Sequence, residues 1–270
     1  MIKIENVVTP SPEQWMAIIM GCRNPLNSWH LSDSGKGEPP ENAALQVVPA
    51  NDEEYPGYSV GGFYLGEKDY SLMMRLRNAG TDHRKFMRMI TVYADIVAPL
   101  YWWKEFDTYK VGTVANSCST MHKIAEKEFT QSDFSAEHLI DFESDEAEFP
   151  VIFKHETAPI GALNYTIKMM NYYREKYLAT NDKRYWWQMI QLLPSSYNQK
   201  RTVMLNYEAL TNMYHSRRNH KLDEWRVFCD WAESLPFSRL IIGDADSIPY
   251  TCTAALSGSK DASQQTLQEA

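Results

Sequence analysis

Apolar and polar positions alternate at the start of the chain and again before its middle, and helical spacing fills most of what lies between. Residues 2–8 alternate as a short strand. Ser11, Pro12 and Gln14 then supply an N-cap, a proline at the first helical position and the glutamine of a capping box, predicting a helix over 12–23. Its Trp15, Ile18, Ile19 and Cys22 share one helical face, which should be buried. From Asn24 to Gly62 the chain is rich in Pro, Gly, Asn and Ser and reads as a long excursion, with one strand around Leu45–Val48. Residues 67–79 predict a helix closed by Gly80, followed by a turn at Thr81-Asp82-His83-Arg84. Met87–Val97 alternates, with β-branched side chains gathered at Ile90, Val92 and Ile96, and is the clearest strand.

Pro99 can open a helix carrying Tyr101, Trp102, Trp103, Phe106 and Tyr109 and ended by Gly112. Beyond it, Asn116, Ser117, Cys118, Ser119 and Thr120 are short polar or thiol side chains in a row. They read as an ordinary loop behind an aromatic core helix or, as the functional alternative, as a turn exposing backbone donors to a ligand. Residues 130–157 are acidic and irregular, and the negative run at 141–148 reads as a solvated face. Helices follow over Pro159–Leu178 and Lys183–Leu193, the second closed by Pro194, with Tyr172, Tyr173, Trp186 and Trp187 as packing residues. Arg201–Leu205 is a short strand, and Asn206–Arg217 and Leu222–Leu235 are helices. Asn206, Leu210, Met213 and Arg217 line one face of the first of these, Glu208 and Asn212 another. An arginine on an apolar face needs a partner, either a carboxylate such as Glu224 or a ligand. After Ile242 the chain is polar and low in aromatics, a frayed tail over 243–270 behind one domain over 1–242.

Composition narrows the function classes. At 270 residues and 44% hydrophobic, the chain can bury a sizeable core. A net charge of -8 argues against a nucleic-acid polymer as partner, because such binding draws its affinity from Lys and Arg on phosphates; a local basic cluster still suffices for a small anion. Cys22, Cys118, Cys229 and Cys252 lack any Cys-x-x-Cys spacing, so neither a metal site nor a disulfide framework is indicated, and a reducing cytoplasm fits. No basic-then-apolar leader and no apolar run of about 18 residues occur, so neither a signal peptide nor a membrane span is expected.

Four segments in order carry a resemblance: VVTPSPEQW at 7–15, NAGTDHRKF at 78–86, DIVAPLYWWKEFDTYK at 95–110 and LLPSSYNQKRTVMLNYEALTNMYHSRRNHKLDEWR at 192–226. In sequence and spacing they resemble the flavin-dependent thymidylate synthases from Ile4 to about Leu235. The resemblance implies an α/β (α+β) fold with helices around a mixed sheet, and a homotetramer whose active sites are each built from several subunits. It implies transfer of a methylene from methylenetetrahydrofolate to C5 of deoxyuridylate, a pyrimidine nucleotide, with reduced FAD giving hydride and NADPH reducing the flavin. By the same resemblance Arg217 is the catalytic arginine that stabilises the ionised uracil. His83, Tyr109, Lys110, Asn206 and Asn212 fall on the cofactor side, and Glu105, Asn116, Ser117 and Ser119 on the substrate side.

The chain also departs from that pattern. Thr108-Tyr109-Lys110 stands where the family has Arg-His-Arg, Ser117 and Met121 where its motif has Glu and Arg, and Glu208 and Ile190 at two further arginine positions. Each lost charge-assisted donor to a phosphate is worth about 1.5–3 kcal/mol. Two classes follow: a diverged enzyme acting on a pyrimidine nucleotide, or a nucleotide-binding or regulatory protein without flavin redox chemistry.

Overall fold

The computed structural model describes residues 2–38, 62–141 and 158–243; the strand expected at Leu45–Val48, the acidic run beyond Asp141 and the tail beyond Gly243 lie outside the described residues. Strand β1 (Lys3–Val8) leads into α1 (Pro12–Arg23). There the capping box forms as the spacing predicts: Gln14 N donates to Ser11 Oγ at 3.3 Å, and Ser11 N donates to Gln14 Oε1 at 2.8 Å. Trp15, Ile18, Ile19 and Cys22 are all buried. A ribbon of β2 (Gly35–Lys36) and β3 (Phe63–Tyr64) precedes α2 (Glu67–Asn78), which stops before Gly80 at φ +102°, a left-handed conformation natural to glycine.

Three expectations fail in the next stretch, each for a local reason. Arg84–Arg88 is a 3₁₀ turn, and β4 (Thr91–Pro99) begins later than Met87. Phe86 and Met87 are adjacent and both buried, which a strand with one covered face does not allow. Helix α3 (Leu100–Phe106) ends at Phe106, where Asp107 N donates to Trp103 O at 2.9 Å, so Gly112 terminates nothing helical. The expected turn at 116–120 is strand β5 (Val114–Ser117) followed by the short α4 (Thr120–Lys123), with Ser119 as its N-cap.

The remaining elements are α5 (Pro159–Thr180), α6 (Lys183–Leu192), β6 (Asn198–Asn206), α7 (Tyr207–Arg217), α8 (Asp223–Glu233) and α9 (Arg239–Ile242). The main sheet has the order β1-β4-β6-β5. The expected class, helices packed on a sheet, holds; the sheet itself is antiparallel in every pairing among the described residues rather than mixed. Val92, Ala94, Ile96, Val203 and Leu205 form its covered face, joined to Trp15, Met73, Trp102, Leu210 and Phe228 in one core. A second cluster lies between α5, α6 and the 124–134 segment, around Phe129, Phe134, Ile167, Met170 and Met189. The β4–β6 register is continuous from Thr91↔Asn206 to Pro99↔Asn198, which sends α3 and α7 off opposite ends of a paired ladder.

Candidate functional site

The last turns of α3 and α7 meet the start of α8 around Arg217. Its Nη1 donates to Glu105 Oε2 at 2.7 Å and its Nε to the Tyr109 hydroxyl at 2.8 Å. The guanidinium also lies 5.0 Å from the Trp225 ring centre and 5.6 Å from that of Tyr109, within cation–π range. Trp225 Nε1 donates to the same Glu105 oxygen at 2.9 Å, and His220 Nε2 stands 3.5 Å from it. A cation in the last turn of a helix is favoured by the backbone dipole, so α7 holds Arg217 there at little cost. The partner of Arg217 is therefore Glu105 and not Glu224. Glu224 is buried against Tyr101 and accepts from its hydroxyl; burial and that bond push the Tyr101 phenol far up. The Arg217 and Glu105 side chains stay 19% and 33% exposed, so the pair is fixed yet reachable.

Asn206, expected on the cofactor side, is the N-cap of α7. Its Oδ1 accepts from Ala209 N at 2.9 Å as the N-cap of α7, and its Nδ2 donates to Gly112 O at 3.2 Å. Gly112 adopts φ +76°, and a Cβ there would collide with the Asn206 amide. The asparagine thus ties the loop between α3 and β5 to α7, and both ends of its side chain are engaged within the chain.

Two residues further, Glu208 lies between two arginines of the 3₁₀ turn. Arg84 Nε donates to it at 3.2 Å, Arg88 donates to both its oxygens, and Arg84 Nη2 donates to Asn212 Oδ1 at 3.1 Å. Burial pushes the Glu208 carboxyl up, but the hydrogen bonds from Arg88 and Arg84 outweigh it and hold it below its usual range. His83 stands exposed just before them. Arg84, Arg88 and Asn212 form one ledge with two guanidiniums against one carboxylate, a donor set of the kind that suits a pyrophosphate, and His83 precedes Arg84 in the chain.

Tyr109 and Lys110, expected on the cofactor side, fall in a second region instead of on that ledge, and the substrate-side residues are spread. Tyr109, Lys110, Thr113 and Arg201 line a cleft of about 470 Å³ beside α3. Arg201 stacks on Trp103 at 4.2 Å and donates to Asp107 at 2.7 Å. On the edge strand, Asn116 lies opposite Thr202 and Ser117 opposite Arg201, both exposed. Ser119 lines a separate cleft of about 260 Å³ with Cys118, Lys127 and Lys200, and its Oγ accepts from His122 N. The structure therefore joins Glu105, Tyr109 and Arg217, ties Asn212 to Arg84, the neighbour of His83 in sequence, and leaves Asn116, Ser117 and Ser119 outside both groups of contacts. Trp225, His220 and Arg201 carry no sequence signal, because packing alone brings them in; Arg84 and Arg88 show one, a helical spacing directly after His83. Cys22 and Cys229 are buried thiols pushed up to about 12 by desolvation, whereas Cys118 is exposed. Among the described residues no cluster of His, Cys, Asp or Glu could hold a metal, and no helix is long and apolar enough to cross a membrane.

No protein-family model matches the chain, and no curated protein does. Solved structures do. Thymidylate synthase X from Helicobacter pylori, with FAD and dUMP, superposes at a TM-score of 0.53 and 15% identity, covering 89% of this chain and 95% of that one. A UMP/dUMP methylase, PolB from Streptomyces cacaoi, bound with 5-Br dUMP, superposes at 0.51 and 15% identity, covering 86% of this chain and 91% of that one. Likeness at this identity speaks for architecture, and over most of its length the chain has the fold of the flavin-dependent thymidylate synthases.

Proposed function

We propose that the chain is a one-carbon transferase acting at C5 of a deoxyuridylate-type pyrimidine nucleotide, in the manner of the flavin-dependent thymidylate synthases. The observation that carries this reading is the Arg217 cage: a guanidinium held by Glu105, Tyr109 and Trp225 beside an open cleft that contains Lys110 and Arg201. A cation fixed before the reaction stabilises negative charge developing on the base without reorganising. Lys110 and Arg201 offer charge-assisted donors to a phosphate, and the Asp107 contact restrains the Arg201 fork. His83, Arg84, Arg88 and Asn212 would hold FAD, which when bound supplies hydride. NADPH and methylenetetrahydrofolate enter as co-substrates. Because the ledge, the cage and the edge strand are separate patches, the reading includes completion of each site by other copies in a homotetramer. A reducing cytoplasm is the compartment it assumes.

A second reading has its own support. Glu208 carries the opposite sign to the family's arginine, and Asn206 is engaged within the chain, which favours a nucleotide-binding protein without flavin chemistry. Absorbance of the purified protein at the flavin bands, followed by calorimetric titration with deoxyuridylate, separates the two. Yellow protein that binds the nucleotide supports the transferase; colourless protein that binds it and takes up no FAD leaves the second reading; binding of neither overturns both.

A further inference from the structure

We infer that His215 is the proton switch of the arginine ledge: it takes up a proton when a phosphate-type anion settles on Arg84 and Arg88, and then turns an N–H donor toward that anion. The inference rests on the ledge of the proposed function as an anion site and not on flavin chemistry. Glu208, Asn212 and His215 follow one another at four and three residues, so they form one stripe along α7. Three arginines face that stripe rung by rung. Arg88 donates to Glu208, and Arg84 donates to Glu208 and Asn212. Arg77, in the last turn of α2, brings its Nη2 to 3.2 Å from His215 Nε2. The carboxylate of the stripe thus sits at one end and its imidazole at the other.

Arginine is a donor only and keeps its protons, so His215 Nε2 must accept from Arg77, and the ring is neutral with its proton on Nδ1. Burial, then the charges of Arg77 and Arg84, hold the imidazole below its usual value. Among the described residues the groups that face it are Arg77 from α2, Arg84 from the 3₁₀ turn and, on α7 itself, the Tyr214 ring 5.6 Å away. Arg77 has no room to retreat from a charged ring, because its Nε and Nη2 also donate to Leu240 O and Ile241 O of α9, each at 3.0 Å. The ring therefore has to turn outward on gaining a proton, which its exposed surface allows. An anion on Arg84 and Arg88 offsets the positive field that keeps the proton off. By linkage the proton strengthens the hold on the anion by the same factor, so binding tightens as pH falls through the histidine range.

The test titrates the full chain with ADP-ribose, a pyrophosphate diester that lacks the flavin ring and stays ionised over the histidine range of about pH 5 to 8. Calorimetry on the parent should show affinity rising roughly fivefold or more from the alkaline to the acid end. His215→Gln keeps an acceptor for Arg77 but takes no proton, and it should bind without that slope; His215→Asn is the second variant for the same comparison. Proton NMR gives an independent reading, since the imidazole signal lost in these variants should titrate at higher pH when ADP-ribose is present. A parent that binds equally at both ends of the range, or a slope that survives in both His215 variants, overturns the switch and leaves the ledge as an anion site. So does an imidazole signal whose titration ADP-ribose does not move, or a slope lost in His83→Gln and kept in His215→Gln. No binding of ADP-ribose at any pH overturns the ledge and the switch together.

Discussion

Arg23–Asp69 and Arg217–Glu105 are both arginine–carboxylate pairs between helices, and they are built to different ends. Arg23 Nε donates to Asp69 Oδ1 at 2.5 Å, and both side chains are almost fully buried. The other oxygen, Oδ2, accepts from the hydroxyls of Ser32 and Ser34 and from the backbone N–H groups of Asp33 and Ser34, all between 2.7 and 3.1 Å. Both oxygens are engaged, five hydrogen bonds converging on the one carboxylate, so the pair is a knot fastening the 24–34 loop to α2. At Glu105 all the contacts fall on Oε2, the second oxygen faces partly exposed space, and aromatic rings flank the cation. A saturated pair can only hold structure; one with an oxygen and a guanidinium face to spare can also meet a ligand.

The largest expected effect breaks the knot. Asp69→Ala strands a buried guanidinium and should cost about 3–5 kcal/mol of unfolding free energy. A loss under about 1 kcal/mol in a denaturant titration would mean the pair is not closed as the contacts indicate. The same residue gives a pH signature. Burial raises its carboxyl, but hydrogen bonds from Ser34, Ser32 and Arg23 outweigh this and hold its pKa below the usual value. A folded-state pKa depressed in this way contributes stability that is complete above the unfolded value near 3.9 and is lost as pH falls through the lower folded value. Acid melts of the parent should therefore steepen below about pH 4, and those of Asp69→Asn should lack that component.

Arg217→Ala should do less to the fold and more to function. Solvent reaches Glu105 once its partner is gone, so the expected cost is about 1–2 kcal/mol rather than that of a buried pair. Under the proposed function, turnover on deoxyuridylate should drop roughly 10²- to 10³-fold, by analogy with removal of one oxyanion donor. Destabilisation as large as that of Asp69→Ala would erase the distinction between the two pairs and make Arg217 structural.

The smallest effect sharpens the comparison at the α7 start. Asn206→Ala removes a cap and the bond to Gly112, and should lower stability by about 1 kcal/mol with FAD affinity unchanged. Lost FAD affinity at an unchanged melting temperature would return the residue to the cofactor.

Much of the helical frame was legible from the chain. Ser11 with Gln14, Gly80 after α2, and Pro159 opening α5 act within a single turn, where local bonds decide the outcome. The acidic or basic character of a position was legible too, and from it the need of Arg217 for a carboxylate. Strand β5 was not legible: Val114–Ser117 has every side chain exposed, so no alternation marks it, and it is a strand because β6 supplies its hydrogen-bond partners. The turn at Arg84–Arg88 was hidden for the opposite reason, since its apolar residues mimic a strand until the core claims two neighbours at once.

What the sequence by itself determined is where the longer helices begin and which of their faces are apolar, because those depend on contacts a few residues long. Which carboxylate reaches Arg217 was decided only by tertiary structure. Glu105 and Arg217 are 112 positions apart, and they meet because α3 leaves one end of the β4–β6 ladder and packs its Trp102 and Phe106 against Trp225 and Phe228 of α8. That packing carries Glu105 under the end of α7, while Glu224, close in sequence, is turned inward to Tyr101.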